Sequence, residues 1–143
     1  MSIGAKLKLN HLFGLKSDVH NNVHYLNETK VLYPVGHNVV IYDTEKREQV
    51  FISGSDGALG IDALAVAPRD KKTVAIAEHR KDETGAYKAF VNLWDVTTLR
   101  KRRHMSCPDV TSEKYMCISF SNDGKYVLAL SGPEDQKLVC WTV

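Results

Sequence analysis

Helix signals are nearly absent from this chain, long apolar runs are missing, cysteine is scarce, and neither sign of charge dominates. Each absence removes a class of protein. The longest aliphatic stretches, such as Ala63-Leu64-Ala65-Val66-Ala67, fall far short of the roughly 18 or more residues that span a bilayer, so no membrane partner is expected. Met1 to Lys6 leads into Leu7-Lys8-Leu9 without the apolar centre of a secretory signal, and the expected setting is reducing and intracellular. Cys107, Cys117 and Cys140 lie ten and then twenty-three positions apart, a spacing that fits neither a disulfide framework nor a metal knuckle. They read as free thiols, with Cys117 and Cys140 expected to be buried in apolar strands as small hydrophobes. The formal net charge is +2 over 143 residues, too little to mark the whole chain as a nucleic-acid binder, so any basic patch must be local.

What the chain does contain is short runs of β-branched and aromatic residues. Strands are predicted over Val23–Leu26, Lys30–Val35, Val39–Tyr42, Gln49–Ile52, Ala63–Ala67, Thr73–Ala77, Ala89–Trp94, Tyr115–Phe120, Tyr126–Leu130 and Leu138–Trp141. Clusters of Asn, Asp, Gly, Pro and Lys separate them, which is the pattern of an antiparallel all-β protein. The runs also repeat. Val39-Val40-Ile41-Tyr42-Asp43 returns 52 positions later as Val91-Asn92-Leu93-Trp94-Asp95, and 47 after that as Leu138-Val139-Cys140-Trp141-Thr142. A second element keeps the same order: Ala67-Pro68-Arg69-Asp70 reappears 53 positions on as Phe120-Ser121-Asn122-Asp123, with Asn27 to Val31 as a degenerate first copy. Two elements in fixed order, a period a little above the roughly 40–45 residues of a WD-type unit, and an aromatic-Asp ending the third strand in the first two copies predict a WD40-type β-propeller.

On this scheme residues 1–10 are a tail and 11–143 an incomplete propeller of about two and three-quarter four-stranded blades. Blade one covers about 23–52, blade two about 61–107, and blade three about 114–143, where a fourth strand is missing. Propellers generally close with about four to eight blades. The expectation is therefore the front part of a longer chain, or a piece whose open edge is covered by further blades or another chain. His11-Leu12-Phe13 is placed as an outer strand closing the ring. Tyr42, Asp43, Trp94, Asp95, Asp135 and Trp141 carry the blade signature, the aromatics filling space between sheets.

The stretches His11–Asp43, Phe51–Ser55, Leu64–Glu78 and Cys117–Asp135 resemble the N-terminal propeller of cilia- and flagella-associated WD-repeat proteins. The most specific part is Phe13-Gly14-Leu15 with Asn21-Asn22. The resemblance implies a location in the ciliary or flagellar axoneme, with partners among doublet-microtubule and inner dynein arm components. It departs from the general WD pattern: the Gly36-His37 pair lies before the third strand and not ahead of the first, and the buried polar network is mostly unmatched. An Asp six positions before the Trp is met only by Asp135 ahead of Trp141, while Lys88 and Gly36 hold the matching places.

Sites of chemistry are weakly signalled. His20 and His24 have the i, i+4 spacing of a helical metal pair, yet Asn21-Asn22 and Val23 argue against a helix. Gly54, Gly57 and Gly60 fit neither phosphate-loop spacing, and the stretch from Ser53 to Gly60 reads as a flexible connector. No nucleophile elbow occurs. No enzyme, cofactor or metal is expected. Arg100-Lys101-Arg102-Arg103-His104 is the one notable charge cluster, placed at the turn into the outermost strand of blade two. Three readings apply, in order of preference: a solvated strip blunting a sheet edge, a dock for an acidic protein surface, and a nucleic-acid contact. The function expected is a non-catalytic axonemal scaffold, with a cytoplasmic trafficking or ubiquitin-transfer adaptor as the alternative and a nucleic-acid-associated propeller third.

Overall fold

Within each apolar run, side chains alternate across a strand, and the polar turn after it returns the chain beside itself. The computed structural model describes residues 7–143, so residues 1–6 of the expected tail lie outside the described residues. Among the described residues the protein is all-β, with eleven antiparallel strands in three sheets and no helix. Sheet one joins β1 (His24–Tyr25), β2 (Lys30–Val35), β3 (Asn38–Asp43) and β4 (Glu48–Ser53) in chain order. Sheet two joins β5 (Ala58–Val66), β6 (Thr73–Lys81), β7 (Tyr87–Asp95) and β8 (Arg100–Ser106). Sheet three has β9 (Tyr115–Phe120), β10 (Tyr126–Ser131) and β11 (Leu138–Thr142).

The sheets stack in chain order. Leu32, Val39, Ile41 and Ile52 of sheet one share a core with Ile61, Leu64, Val74 and Ile76 of sheet two, and Val19 from the leading segment joins them. The other face of sheet two offers small side chains, among them Ala63, Ala65, Ala75 and Ala77, and these leave room for Tyr115 and Phe120 of sheet three. That pairing of small with large lets the faces approach at interior density. Sheet two is thus covered on both sides, which is why Thr73 to Glu78 and Ala89 to Leu93 are continuously buried. Each large aliphatic side chain buried there contributes on the order of 1.5–3 kcal/mol.

Sheet three is covered on one face only, and β10 alternates strictly between exposed and buried positions. This overturns the expected burial of Cys117 and Cys140. Both thiols are exposed, because their side chains point away from sheet two, while Cys107 is half-buried. An apolar run shows that a strand exists but not whether both of its faces are covered.

The repeated elements prove to be turns of common build. Asp43 Oδ1 accepts the backbone amides of Glu45 and Lys46 at 3.1 and 3.0 Å. Asp95 Oδ1 accepts those of Thr97 and Thr98 at 2.8 and 3.1 Å. Four residues past each aspartate, Arg47 and Leu99 take left-handed conformations with φ of 54° and 56°. Asp70 and Asp123 cap the second element through Lys72 and Lys125 amides at 2.9 and 3.1 Å. Asn27 Oδ1 plays that part in the degenerate copy, accepting from the amides of Thr29 and Lys30. Short carboxylate and amide side chains are favoured at such positions because they bond their own backbone two or three residues on.

Two expectations change. His11-Leu12-Phe13 forms no strand; Gln49 instead clamps both polar groups of Leu12, accepting its amide at 2.8 Å and donating to its carbonyl at 3.0 Å. The connector from Ser53 to Gly60 is largely fixed. Ala58 to Gly60 begin β5, and Gly54 donates to the His37 carbonyl at 2.7 Å, so closely that a Cβ there would lie 2.6 Å from that oxygen.

Candidate functional site

β8 is the outermost strand of sheet two; one edge pairs with β7 and the other has no strand partner among the described residues. The basic run Arg100–His104 lies wholly inside this strand, not at the turn leading into it, and all five side chains are exposed. The register explains how they differ. Leu93 opposes Arg103 and Trp94 opposes Lys101, which leaves Arg102 as the extra residue of a β-bulge. A bulge re-aims its side chain, and Arg102 turns onto the Asp95 carboxylate as an ion pair.

Asp95 thus has two duties. Its Oδ1 closes the turn after β7 and its Oδ2 neutralises Arg102. The Thr97 hydroxyl, then the Thr98 and Thr97 amides, and finally Arg102 hold its carboxyl well below the usual carboxylate range. Arg103 donates to the Thr142 carbonyl, joining β8 to sheet three. His104 Nδ1 lies 2.9 Å from Asn92 Oδ1. Arg100 and Lys101 are left without an ion pair among the described residues. The strip of five therefore contains two cations unengaged in the fold.

The aromatic signature residues sit at successive sheet faces. Trp94 packs on the core between sheets one and two. Trp141 packs on the core between sheets two and three, with its ring edge-on to Tyr115 at 5.7 Å between centroids. Tyr42 is half-buried and, by alternation from Ile41, lies on the face of sheet one away from sheet two. Asp135 accepts the hydroxyls of Ser112 and Ser131 and the Thr111 amide, which lies 2.7 Å away. The Ser112 hydroxyl, followed by that of Ser131, drives its carboxyl well below the ordinary range.

Sheet two lacks an aspartate in the matching place and uses a different polar cluster, built on residues that the repeat pattern does not single out. The Glu78 carboxyl, 1% exposed, accepts the Ser55 amide, the Ser55 hydroxyl and the Asn92 side-chain amide, each at 2.8 Å. Asn92 passes the chain of bonds on to His104. The signal was present in the sequence: Asn92 interrupts an apolar strand, and a buried polar side chain requires a partner. A smaller pair joins His79 Nδ1 to Asp62 Oδ2 at 2.8 Å. Burial pushes the Asp62 carboxyl upward, against the lowering effect of His79.

Among the described residues, no group of three or more His, Cys, Asp or Glu side chains is placed to hold a metal ion. His20 and His24 do not share a helix; His24 is in β1 and His20 in the turn before it.

No protein-family model matches the chain. Cilia- and flagella-associated protein 57 of Mus musculus is 35% identical over 133 residues, covering 92% of this chain and 10% of that protein. Cilia- and flagella-associated protein 57 C of Tetrahymena thermophila is 23% identical over 147 residues, or 97% of this chain and 11% of its own length. Cilia- and flagella-associated protein 52 of Sus scrofa is 26% identical over 140 residues, or 97% of this chain and 21% of its own length. The chain spans about a tenth of the first two relatives. All three are named for association with cilia and flagella, and none bears the name of an enzyme. Over nearly its whole length the chain is similar to the cilia- and flagella-associated proteins, protein 57 among them, and that similarity supports its assignment to the cilium or flagellum.

Proposed function

We propose that the chain is part of a non-catalytic WD-type scaffold of the axoneme. The three stacked sheets are successive propeller blades, covering about 23–52, 61–107 and 114–143, with further blades or another chain on the open edge. The observation that carries this reading is the shared turn: Asp43 and Asp95 each accept the backbone amides two and three residues on, in successive sheets. Trp94 and Trp141 filling successive gaps add to it. A stack of rigid sheets offers its rims and edges for docking. In this chain the exposed cations Arg100 and Lys101 suit an acidic protein surface. The partners proposed are doublet-microtubule-associated complexes, with a role in inner dynein arm assembly or regulation of motility.

The test is localisation of a tagged chain in ciliated cells before and after detergent extraction. Retention on the extracted axoneme, reduced by the paired change Arg100→Glu and Lys101→Glu, is the expected result. A chain that leaves wholly with the soluble fraction overturns the scaffold reading.

A further inference from the structure

A second cationic feature lies where sheet two ends in the hairpin between β6 and β7. Arg80 and Lys88 sit directly opposite each other across those strands. Like charges so placed repel. Neither has an ion-pair partner among the described residues. Asp82 in the hairpin bonds the Thr84 hydroxyl and the Thr84 and Ala86 amides, and these, with the charge of Lys88 as the smallest contribution, hold its carboxyl below the usual range. Glu78 is occupied beneath by Ser55 and Asn92.

These cations border a cleft of about 390 Å³ whose walls also include Phe90, His104, Ser106 and Val110. Phe90 is a buried floor that fixes what stands on it. The Arg80 guanidinium lies 5.4 Å from its ring centroid and the His104 ring 5.2 Å. A guanidinium laid on an aromatic face keeps its planar fork available for a carboxylate. One half of the cleft is therefore cationic, and the other half, exposed Pro108 and half-buried Cys107 over buried Phe90 and Val110, is apolar. That division matches an anionic head on a short aliphatic stem and offers a bare inorganic anion nothing for its apolar half.

The cleft continues into the basic strip, since His104 and Ser106 belong to β8. From Ser106 to Arg100 the strand covers roughly 20 Å. A single anion cannot reach both ends, and an extended peptide of about six or seven residues can. A second copy of this chain would bring the same cations against themselves, so charge complementarity selects an acidic partner.

We propose that the cleft of Arg80, Lys88, Phe90 and His104 receives a glutamate or aspartate side chain from an extended acidic segment of a protein partner, with a second carboxylate of that segment on Arg100 and Lys101. The proposal rests on the reading of the basic strip as a protein dock and adds a specific pocket at its far end.

The test is fluorescence anisotropy on the 143-residue chain. The probe is a fluorescein-labelled heptapeptide with glutamate at both ends and alternating valine and threonine between. The expected result at low ionic strength is binding that the glutamine-ended peptide lacks. Either paired change, Arg80→Gln with Lys88→Gln or Arg100→Gln with Lys101→Gln, raises Kd about tenfold, the size of two partly desolvated ion pairs. Exposed control cations, Lys46→Gln with Lys125→Gln, leave Kd unchanged, and circular dichroism confirms that every variant is folded. If only the change at Arg100 and Lys101 weakens binding, the pocket is overturned while the basic-strip dock stands. If only the change at Arg80 and Lys88 does so, or inorganic phosphate displaces the peptide at equal concentration, the two-point peptide site is overturned. Tighter binding of a duplex oligonucleotide with the same residue dependence overturns it in favour of nucleic acid. Absence of peptide binding overturns it outright, without touching axonemal retention.

Discussion

Replacing Glu78 by alanine tests whether the buried polar cluster of sheet two holds the sheets in register. Its carboxyl accepts three donors, from the Ser55 amide, the Ser55 hydroxyl and the Asn92 side-chain amide. Asn92 is fully buried, and its Oδ1 already faces His104, so it cannot turn to find a new partner. Leaving a buried donor unpaired costs about 1–3 kcal/mol. The Asn92 amide loses one of its two acceptors and keeps the Ser55 hydroxyl at 2.7 Å, and half-buried Ser55 is partly rescued by water, so the change is expected to cost about 1–3 kcal/mol. That is a large part of the roughly 5–15 kcal/mol that holds a typical domain folded. Glu78→Gln keeps the shape but sets an amide donor against one of the donors, and about 1–3 kcal/mol is expected. Urea unfolding followed by the fluorescence of Trp94 and Trp141 measures both. A double-mutant cycle with Asn92→Ala is expected to show coupling of about 1 kcal/mol or more. A cost below about 0.5 kcal/mol for Glu78→Ala, or additivity within that margin, would refute the reasoning.

Three further outcomes follow from burial and hydrogen bonding. The Tyr115 hydroxyl is buried without a hydrogen-bond partner among the described residues, so Tyr115→Phe is expected to be neutral or stabilising by up to about 1 kcal/mol in thermal unfolding. Burial also pushes that hydroxyl up to about 12 from 10.0; the folded state favours its neutral form, stability falls as pH rises through that window, and the phenylalanine variant loses that part of the fall. The Asp135 carboxyl is lowered from 3.8, chiefly by the Ser112 hydroxyl. Its contribution is present at neutral pH and is lost as pH falls below 3.8, so Asp135→Asn is expected to flatten the acid limb of a stability profile. Exposed Cys117 and Cys140 are expected to react with a thiol reagent in the native state well before half-buried Cys107, as read by mass spectrometry of timed samples. Protection of all three until denaturation would show that something covers sheet three.

The parts of this fold legible in the sequence are the local ones. Asp43, Asp95, Asp70 and Asp123 act on backbone groups two or three positions away, so their spacing alone marks the turns and, through the turns, the strands. Whatever depends on a neighbouring sheet is not written that way. Cys117 and Cys140 look like core residues because apolar alternation does not say which face another sheet will cover. The Glu78 cluster spans Ser55, Glu78, Asn92 and His104 across four segments, and only the polar interruption at Asn92 hints at it.

The basic strip shows why register in particular escapes such a reading. Charge counting treats Arg100 to His104 as one block of five, and the period of a strand would send Arg102 and His104 to the same face as Arg100. The bulge at Arg102 breaks that period by one residue. It takes one arginine out of the block and gives it to Asp95, the aspartate that also closes the preceding turn. Arg103 and His104, beyond the bulge, are drawn inward to Thr142 and Asn92. The cations left over are Arg100 and Lys101 on one side, and Arg80 with Lys88 past the other end. A single inserted residue thus turns an undifferentiated charge run into two separate cationic points, with the length of β8 between them.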